Sequence, residues 1–156
     1  IGSGCNNKIG GNYSSGLFIG GGFCNEILSR SYRNTILNGR CNKILGNYNG
    51  YGGANYMTIV GGCCNVINVD GFDVNGGTIG QNIIAGGSKN LICDSVSSLK
   101  ISGSGIFIGA GTFNTGSGIN NFIGSGCCNK AEGRNSLIVG GENNSTIGIN
   151  NESLYK

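Results

Sequence analysis

Apolar and polar residues recur along this chain in one fixed phrase. An isoleucine is followed three residues later by glycine and six residues later by asparagine, eight times without a gap. The copies begin at Ile1, Ile19, Ile36, Ile59, Ile84, Ile108, Ile123 and Ile138. Their glycines are Gly4, Gly22, Gly39, Gly62, Gly87, Gly111, Gly126 and Gly141. Their asparagines are Asn7, Asn25, Asn42, Asn65, Asn90, Asn114, Asn129 and Asn144. Successive copies start 18, 17, 23, 25, 24, 15 and 15 residues apart.

Counting the isoleucine as position 1, position 9 is again isoleucine in the first five copies: Ile9, Ile27, Ile44, Ile67 and Ile92. Alternation then predicts a strand whose position 8 points out and position 9 points in. Position 8 runs Lys8, Glu26, Lys43 in the first three copies, so neighbouring rungs alternate in charge. Such a cross-strand pair contributes roughly 0.2–1 kcal/mol. Position 3 is always small, and alternation from position 1 places it inward, where a narrow interior would demand small residues. Position 4 glycine permits positive φ at a corner. Position 7 asparagine tolerates a left-handed backbone and can bond its neighbours in the turn or along the stack.

The last three copies add a second glycine column, Gly118, Gly133 and Gly148, followed two residues on by Asn120, Asn135 and Asn150. Each unit therefore holds two short strands and two turns. One such coil cannot bury its own apolar face, but a stack can. The expectation is an all-β parallel solenoid of about eight coils over residues 1–156, with longer loops in coils 3–5. The chain opens inside a motif, so it is read as a piece of a longer fibre chain.

Composition narrows the alternatives. Of 156 residues, 33 are glycine and none is proline, histidine or tryptophan, which excludes collagen. Charged residues make up 11% against 38% hydrophobic, a balance unlike that of disordered chains. The net charge of +3 is scattered, so no nucleic-acid footprint is present. No apolar run reaches the length of a membrane span, and no membrane insertion is expected. Glycine-rich stretches such as "GSGCCN" put asparagine where a dinucleotide fingerprint needs its third glycine.

"NSLIVGGENNS" and the I-x-x-G-x-x-N register resemble the head repeats of trimeric autotransporter adhesins. "IGGGFCN" and "IVGGCCN" are similar to the Gly-Gly-(Cys)-Asn repeats of phage tail-fibre proteins. The resemblance implies a left-handed parallel β-roll, a homotrimer and an extracellular setting on a virion or cell surface. It implies a structural and adhesive role in attachment to a host glycan or protein receptor, with a bacterial adhesin head as the alternative. The 23–25-residue coils depart from the adhesin pattern, whose period is close to 15. Grass ice-binding β-rolls are also similar, but position 2 and threonines such as Thr35 and Thr58 form no threonine ladder here.

Candidate chemistry is sparse. Cys5, Cys63 and Cys127 occupy position 5, and Cys24, Cys41, Cys64 and Cys128 occupy position 6. Without a C-x-x-C pair or any histidine, no metal site and no cofactor are expected. Rung spacing would admit a disulfide, but parallel side-chain vectors oppose it. A column of small, buried, reduced thiols filling a tight corner is the preferred reading, with Cys64 stacked on Cys41. Asp70 and Asp94, with Asp73 nearby, would be a carboxylate pair of a polysaccharide-cleaving β-helix, or "DGFDVNGG" with Asp70 and Asp73 a calcium loop, or all three solvated turn residues. The chain is read as a non-enzyme, with ligand contact assigned to Tyr48, Tyr51, Tyr56, Phe72, Asp70 and Asp73. Long loops that mix aromatic and amide groups suit sugar or protein recognition.

Overall fold

Isoleucine at fixed intervals, with glycine and asparagine at every corner, builds two parallel sheets facing each other. In the computed structural model, residues 1–11, 14–29, 32–46, 54–69, 79–93, 103–149 and 152–153 are described. The first sheet stacks β1 (Lys8–Gly10), β3 (Glu26–Ser29), β5 (Lys43–Gly46), β8 (Val66–Asn68), β11 (Leu91–Cys93), β13 (Thr115–Ile119), β15 (Lys130–Arg134) and β17 (Ser145–Ile149). The second stacks β2 (Phe18–Ile19), β4 (Thr35–Ile36), β7 (Thr58–Ile59), β10 (Ile83–Ile84), β12 (Phe107–Ile108), β14 (Phe122–Ile123), β16 (Leu137–Ile138) and β18 (Glu152–Ser153). A small third sheet pairs β6 (Ala54–Asn55) with β9 (Ile79–Gly80). All pairings are parallel and join equivalent residues of successive coils, such as Ile27 with Ile44 and Ile44 with Ile67. The fold is an all-β parallel solenoid.

The core lies between the sheets. Position 1 is fully buried from Ile19 to Ile138, and position 9 is fully buried at Ile27, Ile44, Ile67 and Ile92. Each such side chain contributes about 1.5–3 kcal/mol by leaving water. Position 8 points out, and Glu26 sits between Lys8 at 3.4 Å and Lys43 at 3.3 Å, as the charge alternation predicts.

The corner after position 1 differs from expectation in two ways. Ser3, Asn38 and Ser125 are exposed, and a Cβ added at Gly61 or Gly86 would meet nothing within 4 Å. The chain is already turning at position 3, so strand alternation no longer applies; Gly21 alone of the column is buried, and a Cβ there would meet the Ser3 hydroxyl at 2.7 Å. The left-handed residue is position 6, not position 7. From Asn6 to Asn143 all eight position-6 residues have φ between 54° and 59°. Position 4 glycines take φ of 81–111°. In the first seven coils a Cβ on that glycine would also run into the carbonyl oxygen of the next coil's glycine.

Position 7 asparagine has a different task. Asn25, Asn42, Asn65, Asn90, Asn114 and Asn129 are fully buried. Each side-chain oxygen accepts the backbone N–H of the next asparagine at 3.0–3.1 Å, from Asn7 through Asn144. Each amide nitrogen donates back to its own position 3 carbonyl, as Asn65 does to Gly61 at 3.0 Å. It also donates forward to the next coil's position 4 carbonyl, as Asn65 does to Gly87 at 3.0 Å. The amide thus satisfies corner groups that no strand can reach, in a setting where an unpaired group costs about 1–3 kcal/mol.

Candidate functional site

The second sheet presents two outward columns. The residue before position 1 is Phe18, Thr35, Thr58, Ile83, Phe107, Phe122 and Leu137, and position 2 is Gly20, Leu37, Val60, Ala85, Gly109, Gly124 and Val139. From Phe18 to Val139 neither column holds a charge. The volumes compensate. Phenylalanine faces glycine at Phe18/Gly20, Phe107/Gly109 and Phe122/Gly124, where the ring lies 3.3 Å from where a glycine Cβ would be. Smaller side chains face Leu37, Val60, Ala85 and Val139. Phe107 and Phe122 stack with centroids 5.2 Å apart. Phe18, Leu37, Val60, Phe122 and Val139 are 38–46% exposed. Seven rungs at about 4.8 Å and two columns wide give an apolar face on the order of 500 Å², at the upper end of what a monomer exposes. The first sheet, by contrast, carries Lys8, Glu26, Lys43, Lys130, Glu132 and Arg134 outward.

The corner between positions 4 and 7 forms a third surface. Single parallel bridges link Cys5, Phe23, Arg40, Cys63, Ser88, Thr112, Cys127 and Glu142 in one line. Arg40 lies 5.9 Å from the centroid of Phe23, and Lys89 lies 4.8 Å from that of Phe113. The cysteines of this corner are unbridged and partly or fully exposed, not buried. A left-handed residue turns its side chain outward, and the inside of the corner is already filled by the asparagine column. Adjacent thiols approach closely: Sγ to Sγ is 3.1 Å in Cys63–Cys64 and in Cys127–Cys128. The shared hydrogen bond raises the Cys64 pKa, with burial adding to it. The bond to Cys128 raises that of Cys127. Among the described residues no group of three His, Cys, Asp or Glu side chains is placed to hold a metal ion.

In coils 3, 4 and 5 the described residues end at Gly46, Val69 and Cys93, the departure points, and resume at Ala54, Ile79 and Gly103, the return points. The departure points share one sheet end, where Leu45 pairs with Asn68 and Asn68 with Cys93. The return points are also adjacent: Ala54 pairs with Ile79, and Gly105 N–H donates to Gly80 at 3.1 Å. Tyr48, Tyr51, Asp70, Phe72, Asp73 and Asp94 lie outside the described residues. Tyr56 is described. It sits beside a return point in a left-handed conformation, 46% exposed. The Arg33 guanidinium lies 5.3 Å from its ring centroid and donates to its hydroxyl.

A second asparagine column escaped the sequence reading. Asn34, Asn82 and Asn121 are buried and accept N–H groups of Met57, Ile106 and Ser136 at 2.9–3.0 Å. Each follows a left-handed residue: Arg33, Gln81 and Asn120. The signal was present, since "GTFN", "GINN", "GCCN" and "GENN" begin at Gly111, Gly118, Gly126 and Gly141. The amide of the second turn is thus Asn121, one residue beyond Asn120.

No family model matches the chain, and no curated protein matches it.

Proposed function

We propose that the chain is a structural and adhesive fibre domain, a stiff rod that self-associates and displays a cluster of loops to a receptor. The observation that carries this reading is the adjacency, in successive coils, of the residues between which the three longest sequence insertions begin and end. The last three copies start 15 residues apart and the first two coils are only two or three residues longer, so the three long insertions mark a surface under a different demand. The uncharged face of the second sheet supports self-association, and the resemblance to trimeric heads favours three copies. A phage or virion fibre is the source the cysteine-bearing repeats favour, with a bacterial adhesin head as the alternative. The receptor class is a cell-surface glycan or protein, met by Tyr48, Tyr51, Tyr56 and Phe72 with Asp70 and Asp73 beside them.

The test is binding of the whole chain to arrays of capsular, wall and cell-surface glycans and to intact cells. Binding is expected, and it should be lost when Tyr48, Tyr51 and Phe72 are all changed to alanine with the unfolding midpoint unaltered. A chain that binds none of these surfaces, or a triple variant that binds as well as the parent, overturns the attachment role.

A further inference from the structure

Two pairs of adjacent cysteines sit at the same corner of coils 4 and 7, and their backbone is fixed from both sides. Cys63 N–H donates to Gly87 at 2.9 Å and Cys64 N–H to Arg40 at 2.8 Å. Cys127 and Cys128 repeat the arrangement, donating to Gly141 and Thr112 at 3.0 Å each. In both pairs the first residue lies in the bridge ladder and the second has φ of 58–59°. Both Sγ–Sγ distances are 3.1 Å.

That clamp opposes oxidation within a pair. Neighbouring Cα atoms across a trans peptide are about 3.8 Å apart, below the roughly 4.4–6.8 Å of ordinary disulfides. Closing the ring would need the backbone to turn, and the ladder holds it. The pair therefore persists as a dithiol with a fixed bite. With bonds of about 2.3 Å to each sulfur, a tetrahedral centre spans about 3.8 Å and a linear one about 4.6 Å. A 3.1 Å span closes an angle of about 85° at such a centre. That suits a pyramidal centre whose lone pair compresses its bond angles toward a right angle. Zinc needs four ligands as well as a wider bite.

We infer that Cys63–Cys64 and Cys127–Cys128 are two bidentate sites for a trivalent thiophilic metalloid, of which arsenic(III) is the type. Capture needs no oxidant. An organoarsenic(III) oxide and two thiols give a dithioarsenite and one water. Two As–S bonds form while two S–H bonds and the As–O bond break, and both protons leave in the water. The organic group stays in solvent, since all four sulfurs lie on the partly exposed corner. Cys5, Cys24, Cys41 and Cys93 have no cysteine as their neighbour in the sequence.

The experiment uses the reduced whole chain with phenylarsine oxide, read by native mass spectrometry during titration with glutathione. Two equivalents should survive excess glutathione and leave with a dithiol competitor. Cys63→Ser or Cys64→Ser should leave one, Cys63→Ser with Cys127→Ser none, and Cys24→Ser with Cys41→Ser still two. The folded chain should withstand about tenfold more glutathione than the urea-unfolded chain, because its thiols are held in place. Fewer than two retained equivalents in the folded parent overturns the inference. So does retention in the Cys63→Ser, Cys127→Ser variant, or equal retention by the unfolded chain. Far-UV circular dichroism confirms that each variant is folded.

Discussion

Replacing Asn65 by alanine removes one rung of the buried amide column at the middle of the rod. Three hydrogen bonds go: to the Gly61 carbonyl, to the Gly87 carbonyl and from the Asn90 N–H, each at 3.0 Å. Gly87 keeps the Cys63 N–H at 2.9 Å, and the Asn65 N–H still donates to Asn42 at 3.0 Å. The Gly61 carbonyl and the Asn90 N–H lose the amide that served them, and alanine cannot fill the space. At about 1–3 kcal/mol for each orphaned group, plus the void, the loss is about 3–5 kcal/mol. That is a large part of the 5–15 kcal/mol typical of a whole domain. Asn65→Asp sharpens the test. It keeps the acceptor for Asn90 but sets a carboxylate against two carbonyl oxygens, so it should cost at least as much at pH 7. Part of that should return below about pH 4, where the acid regains a donor. The assay is urea unfolding followed by circular dichroism, with the slope unchanged and the midpoint lowered. Asn68→Ala, exposed on the same coil, is the control and should stay within about 0.5 kcal/mol. A loss below about 1 kcal/mol for Asn65→Ala would refute the satisfied-corner argument.

Gly62→Ala should lose about 4 kcal/mol or more in the same assay, because its φ is +88° and a Cβ would meet the Gly87 carbonyl. Gly61→Ala next to it should be within about 0.5 kcal/mol; equal losses at both would contradict the corner geometry. Thr146, whose buried hydroxyl has no partner, should gain about 1 kcal/mol on change to valine, and a loss on heating would count against this. Raised native pKa values at Cys64 and Cys127 mean that unfolded thiols ionise first as pH rises. Their stabilising share is whole below about pH 8.5 and is lost as pH climbs through the raised values. Unfolding midpoints from pH 8 to 10 should fall more steeply for the parent than for Cys64→Ser with Cys127→Ser, and parallel curves would contradict the shared-proton pairs.

Much of this architecture is legible in the chain because a solenoid writes each coil with nearly the same letters. Ile36, Ile59 and Ile84 fall on one buried line, and Lys8–Glu26–Lys43 form the ion-pair row that their register requires. What misled was the corner. Glycine and asparagine announce a turn, but their letters do not say which residue takes the left-handed conformation. Asparagine tolerates it, yet Cys24, Cys41, Lys89 and Phe113 adopt it, because the buried amide must keep its side chain inward to serve three backbone groups. The cysteines were expected inside as small thiols filling a tight corner, and they lie outside because Asn42 and Asn65 already occupy it. The apolar face was hidden by its own compensation: Phe122 with Gly124 and Thr58 with Val60 look unrelated until the sheet places them side by side.

Self-association through that face is the claim on which the fibre reading depends most. Light scattering during size-exclusion chromatography tests it on the parent and on Val60→Lys with Phe122→Lys, which put charges on two half-exposed rungs without entering the core. The parent should run as three copies and the variant as a single chain, with identical circular dichroism. A parent that elutes as one chain, or a variant that still assembles in threes, would contradict it.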